Sequence, residues 1–390
     1  PRVRRAWCQS PPSTGPVPDD GPAYRRAMAD DPYGPPPAGL APDFATARAA
    51  FVEAATAAGA RLAHVPHPLP GPDGASIGAD VADLGPADAP DVVVVVSGTH
   101  GVEGFAGSAL QSRWLAQRAG TRPGPVRMVF LHAHNPHGFA WIRRVNEDNV
   151  DLNRNYIDWS TPAPANPGYD AVADLLDPAD WTEQTQAATT TAILQRADEL
   201  GFGTLQAHIT QGQYRHPTGV FYGGNRPTWS HDRMREICAD HLGDAERVAI
   251  IDLHSGLGEW GHGELIGHHA VDTDAHRRAV AWWGDVRSMV DGESVSAALV
   301  GDWLAAADRW LAPAEVTSAA LEYGTVDPVT VVQALRADAV LHAHGDPLGP
   351  GADAVRAEVR AAFADDDPSW IAMLWPRFVD VVDTALTRLT

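Results

Sequence analysis

From Asp43 onward the apolar positions of the chain fall into two alternating rhythms. FATARAAFVEAATAA, residues 44–58, has helical spacing and is closed by Gly59. RLAHVPHPL and ASIGADVADLG are short strand candidates on either side of the turn PGPDG. VVVVV, residues 92–96, is apolar at every position, which is the pattern of a strand covered on both faces. GFAGSALQSRWLAQRAG, from Gly104, then predicts a helix. PVRMVFLHA and ERVAIIDLHSG predict two further buried strands, separated by a helix near residues 181–200 and the turn-rich YRHPTGVFYGGNRPTWS. Downstream come a short strand in GELIGHH, a helix near 274–284 and a strand in AEVTSAALEYG. Helices near 328–341, 353–363 and 369–389 complete the pattern. Strands alternating with helices indicate an α/β layer with helices on both faces. Residues 1–40 break the rhythm with PPSTGPVPDDGP and PYGPPPAGLAP and are expected to form a proline-rich, irregular arm. Residues 41–390, without an internal repeat or a clear linker, are expected to form one domain.

Charge and cysteine content narrow the function classes. The 29 basic and 50 acidic residues give a net charge of −21, which argues against a nucleic-acid partner because phosphate binding needs a basic footprint. Two cysteines, Cys8 and Cys238, form no metal spacing and no disulfide framework, which fits a reducing compartment. No apolar run approaches the ~18 residues of a membrane span, and no basic-then-apolar leader opens the chain. A cytoplasmic enzyme without a membrane partner is the expectation.

Three of the strands end in residues that carry chemistry. The valine strand ends at SGTHGVE, the IIDL strand at His254 and the AALE strand at Glu322. In open α/β sheets the ligands gather beyond the carboxyl ends of the strands. His100 and Glu103, three apart, share one face of a helical turn. An imidazole and a carboxylate suit zinc, and a catalytic zinc wants three protein ligands and one open position. His254 is the natural third, with Asp252, two residues earlier on the same side of its strand, as a carboxylate to orient an imidazole. The chain has 17 histidines, so His132, His134 and His137, and more weakly His262, His268 and His269, are rivals. Asn135 to Tyr156, NPHGFAWIRRVNEDNVDLNRNY, is either a solvated loop or an anion site. Its Arg143, Arg144 and Arg154 offer planar forks for a carboxylate. Trp141, Trp159, Trp229 and Trp260 lie near these motifs, either as core packing or as pocket walls.

HGVE, NPHGF, DLNRN, the strand-borne His254 and the late Glu322 together resemble the zinc carboxypeptidase superfamily. That superfamily includes carboxypeptidase A and the succinylglutamate desuccinylase/aspartoacylase branch. SGTHGVEGFAGSALQ, RRVNEDNVDLNRN, GVFYGGNRPTWS, DLHSGLGEWG and LEYGT resemble a bacterial branch of it, most strongly over residues 75–330. The resemblance implies a three-layer α/β/α fold around a mixed, mostly parallel sheet of about eight strands. It implies one Zn²⁺ per chain held by His100, Glu103 and His254, with Glu322 as the general base. It implies that Arg144, or alternatively Arg143, polarises the scissile carbonyl, and that Asn153 and Arg154 grip a free carboxylate. No late tyrosine matches the family with assurance of position; Tyr222 and Tyr323 are candidates by composition, and residues 160–181 have no counterpart.

The implied activity is zinc-dependent hydrolysis of an amide bond beside a free carboxylate, in a peptide or an N-acyl amino acid. An ester or amide hydrolase for a small metabolite, on the desuccinylase plan, is the alternative. From another class comes a catalytically silent zinc protein that binds carboxylated ligands; the presence of Glu322 argues against it. A serine hydrolase is discounted, since the chain has no GxSxG elbow.

Overall fold

The computed structural model describes residues 33–121 and 125–390, so most of the proline-rich arm lies outside the described residues. Among the described residues the strands are β1 (Arg61–Pro66), β2 (Gly78–Leu84), β3 (Asp91–Ser97), β4 (Arg127–His132), β5 (Arg247–Trp260), β6 (Gly263–Gly267), β7 (Val286–Ser288) and β8 (Glu315–Gly324). They form one eight-stranded sheet in the order β1-β2-β4-β3-β5-β8-β6-β7. The central run β4-β3-β5-β8 is parallel, and the edge strands β1 and β2 are antiparallel to their neighbours. At the other edge β6 runs antiparallel to β8 and parallel to β7. The sheet is therefore mixed, as expected.

Helices cover both faces. The longer ones are α1 (Phe44–Ala57), α2 (Gly104–Arg118), α3 (Pro136–Trp141), α4 (Glu183–Leu200), α5 (Phe202–Thr210), α6 (Trp229–Leu242), α7 (Asp274–Trp283), α8 (Trp303–Trp310), α9 (Pro328–His344), α10 (Ala352–Phe363) and α11 (Pro368–Leu389). The period of two along the valine run decides the layering. Val93 and Val95 pack with Phe51 of α1, Trp114 of α2 and Phe378 of α11. Val92, Val94 and Val96 pack with Met234 and Ile237 of α6 and Trp303 of α8. Burying each such side chain stabilises the fold by about 1.5–3 kcal/mol, which is why a strand with no polar position is stable only between two layers. A third apolar cluster, including Phe105, Phe139, Leu335 and Phe363, packs the loops beyond the strand ends against α9 and α10.

Two expectations are corrected. β5 does not end at His254 but runs on to Trp260, and β8 passes Glu322 to end at Gly324. Gly256 (φ 140°) and Gly258 (φ 108°) make the register shift of a bulge, so glycines that read as a turn let the chain continue beside β8. Helix α6 begins inside the segment read as turn-rich. Thr228 caps it, its hydroxyl accepting from the backbone N–H of His231 at 3.2 Å, and Met234, Ile237, Cys238 and Leu242 form its buried stripe. Among the described residues no helix is long and apolar enough to cross a membrane.

Candidate metal centre

After β3 the chain makes one 3₁₀ turn, Gly101–Glu103, that turns His100 and Glu103 to the same side. Gly101 is required there, because a Cβ at this position would lie 2.0 Å from the carbonyl carbon of Gly138. The close approach lets Gly101 N–H donate to Arg144 O (3.1 Å) and Val102 N–H to Arg143 O (2.8 Å). The two arginines then point apart. Arg144 donates from Nη1 to Glu103 Oε1 (2.9 Å) and from Nε to Asp151 Oδ2 (3.1 Å). Arg143 is buried and donates instead to Asp338 Oδ2 (2.8 Å) and Asn149 Oδ1 (2.9 Å).

His254 comes in from β5. Its Nδ1 lies 2.8 Å from Glu103 Oε2 and its Nε2 2.6 Å from Asp252 Oδ2. His100 repeats the arrangement, with Nδ1 2.9 Å from Glu103 Oε1 and Nε2 3.2 Å from Asp151 Oδ1. His100, Glu103 and His254 are all buried, and their ligand atoms lie within 4.8 Å of one another. Each imidazole thus turns one nitrogen inward and gives the other to a carboxylate, which fixes the ring and raises its basicity. Asp252 is itself held by Thr99 Oγ1 (2.8 Å) and Trp303 Nε1 (2.6 Å). Two nitrogens and one carboxylate, with room for a fourth ligand, fit a divalent metal of the zinc type.

The electrostatics are those of a cation site. Burial would raise the Glu103 carboxyl, but the adjoining His100 and His254 hold it well below the usual carboxylate range. Burial would lower His254, yet Asp252 and Glu103 raise it well above an ordinary imidazole. The carboxylates on either side of His254 thus favour its charged form in the metal-free protein.

Glu322 lies on β8 directly across from His254 in the parallel register. Its Oε1 accepts from Leu257 N–H at 3.0 Å. Burial, and then the charge of Glu103, push its carboxyl up to about 7. This shift has a stability consequence that needs no substrate. In the unfolded chain the carboxyl ionises near 4.5, in the folded metal-free protein near 7. Folding therefore loses stability as pH rises from 4.5 to 7, and the penalty is full above 7. Glu322→Gln should make the metal-free protein more stable than wild type at pH 8, by about 3 kcal/mol, with the gap closing at pH 4. Urea melts at the two pH values measure it; equal gaps at both would show that Glu322 ionises normally.

An open cavity is bordered by His100, Arg144, Asn153, Arg154, His254 and Glu322. The proposed ligand, base and carboxylate-binding residues thus meet at one cavity, except Arg143 and Glu103, which are not among its lining residues; Glu103 touches His100 and His254, which are. Arg154 is more committed than expected. Its Nε and Nη2 donate to Thr210 O (2.9 and 2.5 Å) and its Nη1 to Asn153 O (3.2 Å).

The family described as "Protein of unknown function (DUF2817)" matches residues 40–377. The chain belongs to this family. No curated protein matches the sequence. Among solved structures, the DUF2817 chain is similar to carboxypeptidase A from Helicoverpa armigera at 15% identity and a TM-score of 0.44, covering 88% of this chain and 79% of that one. It is similar to bovine thrombin-activatable fibrinolysis inhibitor at 9% identity and a TM-score of 0.47, covering 89% and 96%. A succinylglutamate desuccinylase from a Silicibacter species gives 13% identity and a TM-score of 0.37, covering 73% and 66%.

The rival histidines of the DUF2817 chain do not join the His100–Glu103–His254 cluster, although His268 borders the cavity. His132 reaches Ser108 (2.9 Å), His134 lies between Thr99 and Tyr156, and His137 stacks on Trp141. Burial pushes all three down to about 4, so they stay neutral. His262 is exposed, while His268 and His269 both face Asp308, at 2.7 and 3.1 Å. Tyr323 donates to Leu374 O (3.0 Å) inside the core, and neither it nor Tyr222 borders the cavity. The four tryptophans do not line it either; its aromatic walls are Phe202, Phe221 and Phe363. Sequence reasoning missed Asp151, Thr99 and Trp303. The signal for Asp151 was available: Asp252 was paired with one ligand histidine, and the other needed a carboxylate too.

Proposed function

We propose that the protein is a zinc-dependent hydrolase that cleaves an amide bond beside a free carboxylate. The observation that carries this reading is the meeting of His100, Glu103 and His254 within 4.8 Å, with Glu322 on the neighbouring strand in register with His254. His100, Glu103 and His254 would hold the zinc, which would supply Lewis acidity and make water a stronger acid near neutral pH. Glu322, whose carboxyl is pushed up to about 7, would accept a proton from the attacking water and pass it to the leaving nitrogen as the C–N bond breaks and the new C–O bond forms. Arg144 stabilises the negative charge that grows on the carbonyl oxygen. Its Nε and Nη1 are already held by Asp151 and Glu103, so the guanidinium is oriented before substrate arrives. Asn153 and Arg154 receive the free carboxylate; with three nitrogens of Arg154 on main-chain carbonyls and Nη1 also 3.5 Å from Asp151 Oδ1, one of its five N–H groups remains for a ligand.

Elemental analysis of the purified chain, followed by a substrate panel, tests this. About one zinc per chain is expected. A chelator should abolish hydrolysis and added zinc restore it. Peptides and N-acyl amino acids with a free carboxylate should be cleaved in preference to their amidated analogues, and esters included in the panel separate the desuccinylase-like alternative. Equal rates for free and amidated substrates would remove the carboxylate clamp.

A further inference from the structure

The cavity continues past the metal centre into an apolar trough. We propose that this trough binds an unbranched hydrocarbon chain, so that the substrates are amino acids N-acylated by medium- to long-chain fatty acids; the inference rests on the amide-hydrolase reading above and specifies its substrate.

Three helices wall the trough. α4 is 18 residues long and none of them is buried, an unusual state for a helix inside a domain. Yet Thr190, Ile193, Leu194 and Ala197 of α4 border the cavity. Their spacing of three, four and seven is a single stripe, and an apolar stripe needs something to cover it. Ile193 and Ala197 are only partly covered by the apolar cluster beyond the strand ends. α5 turns Phe202, Leu205, Gln206 and Ile209 to the same space, again as one stripe. α9 supplies Val329, Val332 and Leu335. Seven residues of helix rise ~10 Å, so the stripes are as long as an extended acyl chain of middle length.

The trough is held open from behind. Arg336 of α9 donates to Leu175 O (2.6 Å), to Thr189 Oγ1 of α4 (2.5 Å) and to Gln333 Oε1 (2.6 Å), and lies over the Trp181 ring at 4.8 Å. α4 is thereby tied to α9 at the end of the stripe nearest Thr189 and Thr190. These ties also use up the polar groups of the wall. Gln333 donates to Thr190 Oγ1 and accepts from Arg336, which leaves Gln206 as the wall's main spare polar side chain. A peptide placed here would bury an N–H and a C=O per residue with almost nothing to pair them, which is costly. A hydrocarbon chain has no such groups and gains with each methylene it buries.

The test is a series of N-acyl derivatives of one amino acid (acetyl, hexanoyl and decanoyl) beside a peptide of length equal to the last. Expected is a rise in kcat/KM of about threefold per methylene, so that decanoyl, eight methylenes longer, exceeds acetyl by roughly 6,000-fold, with the peptide well below decanoyl. Ala197→Trp fills the trough and should bring the decanoyl-to-acetyl ratio toward one; Ala197→Leu, a milder filling, guards against misfolding and should lower the ratio in part. A flat or falling series, or Ala197 variants that leave the ratio intact, overturns the proposal. Calorimetric binding of the N-decanoyl and N-acetyl amino acids to the Glu322→Gln chain separates the two readings. If wild type cleaves nothing but decanoyl binds tighter than acetyl and Ala197→Trp removes the difference, the trough stands and the hydrolase reading falls. Cleavage of acetyl substrates without any dependence on chain length, in rate or in binding, has the opposite meaning.

Discussion

Replacing Glu322 with glutamine should lower amide hydrolysis by about 10²–10⁴-fold while leaving zinc content unchanged, the range that a positioned general base contributes. Glutamine has nearly the same shape, and its carbonyl oxygen can still accept from Leu257 N–H, where Glu322 Oε1 now accepts at 3.0 Å. Glu322 is not one of the three clustered ligand residues, so the metal should stay. What is lost is the capacity to accept a proton. Rate measurements on the best substrate of the panel, with metal analysis of the same sample, decide the matter. Unchanged turnover with metal retained would mean that another group moves the proton. No turnover in wild type, on any substrate, would favour a zinc-binding protein without catalysis.

His254→Ala should empty the metal site. Two protein ligands remain, and a catalytic zinc wants three. The change also strands Asp252 and Glu103, which now face the two nitrogens of His254 at 2.6 and 2.8 Å. Breaking a buried pair of this kind costs about 3–5 kcal/mol of stability. Asp252→Asn is the gentler companion. It keeps the ligand but removes the charge behind it, and should weaken metal affinity about 10–100-fold. Metal content after dialysis, together with thermal melting, separates the two. Full occupancy in His254→Ala would move the third ligand to another residue.

The parts of this site that could be read from the sequence are those that sit on regular elements. Val92–Val96 is short and β-branched at every position, which suits a buried strand, and that strand leads to His100 and Glu103. Asp252 and His254 share a side of β5 because residues two apart do so on any strand. Arg143 and Arg144 could not be separated in this way. They follow Ile142, which has φ 56°, and no periodicity survives a residue in the left-handed region. Asp151 reaches His100 from an irregular segment that is held by Asp151 N–H donating to Tyr222 O at 2.8 Å, a contact between residues 71 apart. The trough was equally hidden. The stripe of α4 is visible as a helix, but that it borders a cavity appears only once α5 and α9 are in place.

The parallel pairing of β5 with β8 sets His254 and Glu322 on neighbouring strands at the same level. Their backbones are separated by the strand spacing of about 4.8 Å, a dimension common to all sheets. The gauge between ligand and proton carrier is thus cut into the scaffold, while α4 and α5 lie outside the sheet altogether. Relatives can exchange or lengthen that peripheral pair to suit a new cargo without retuning the reaction, so diversity in this lineage should accumulate in the helical flank and spare the two rungs.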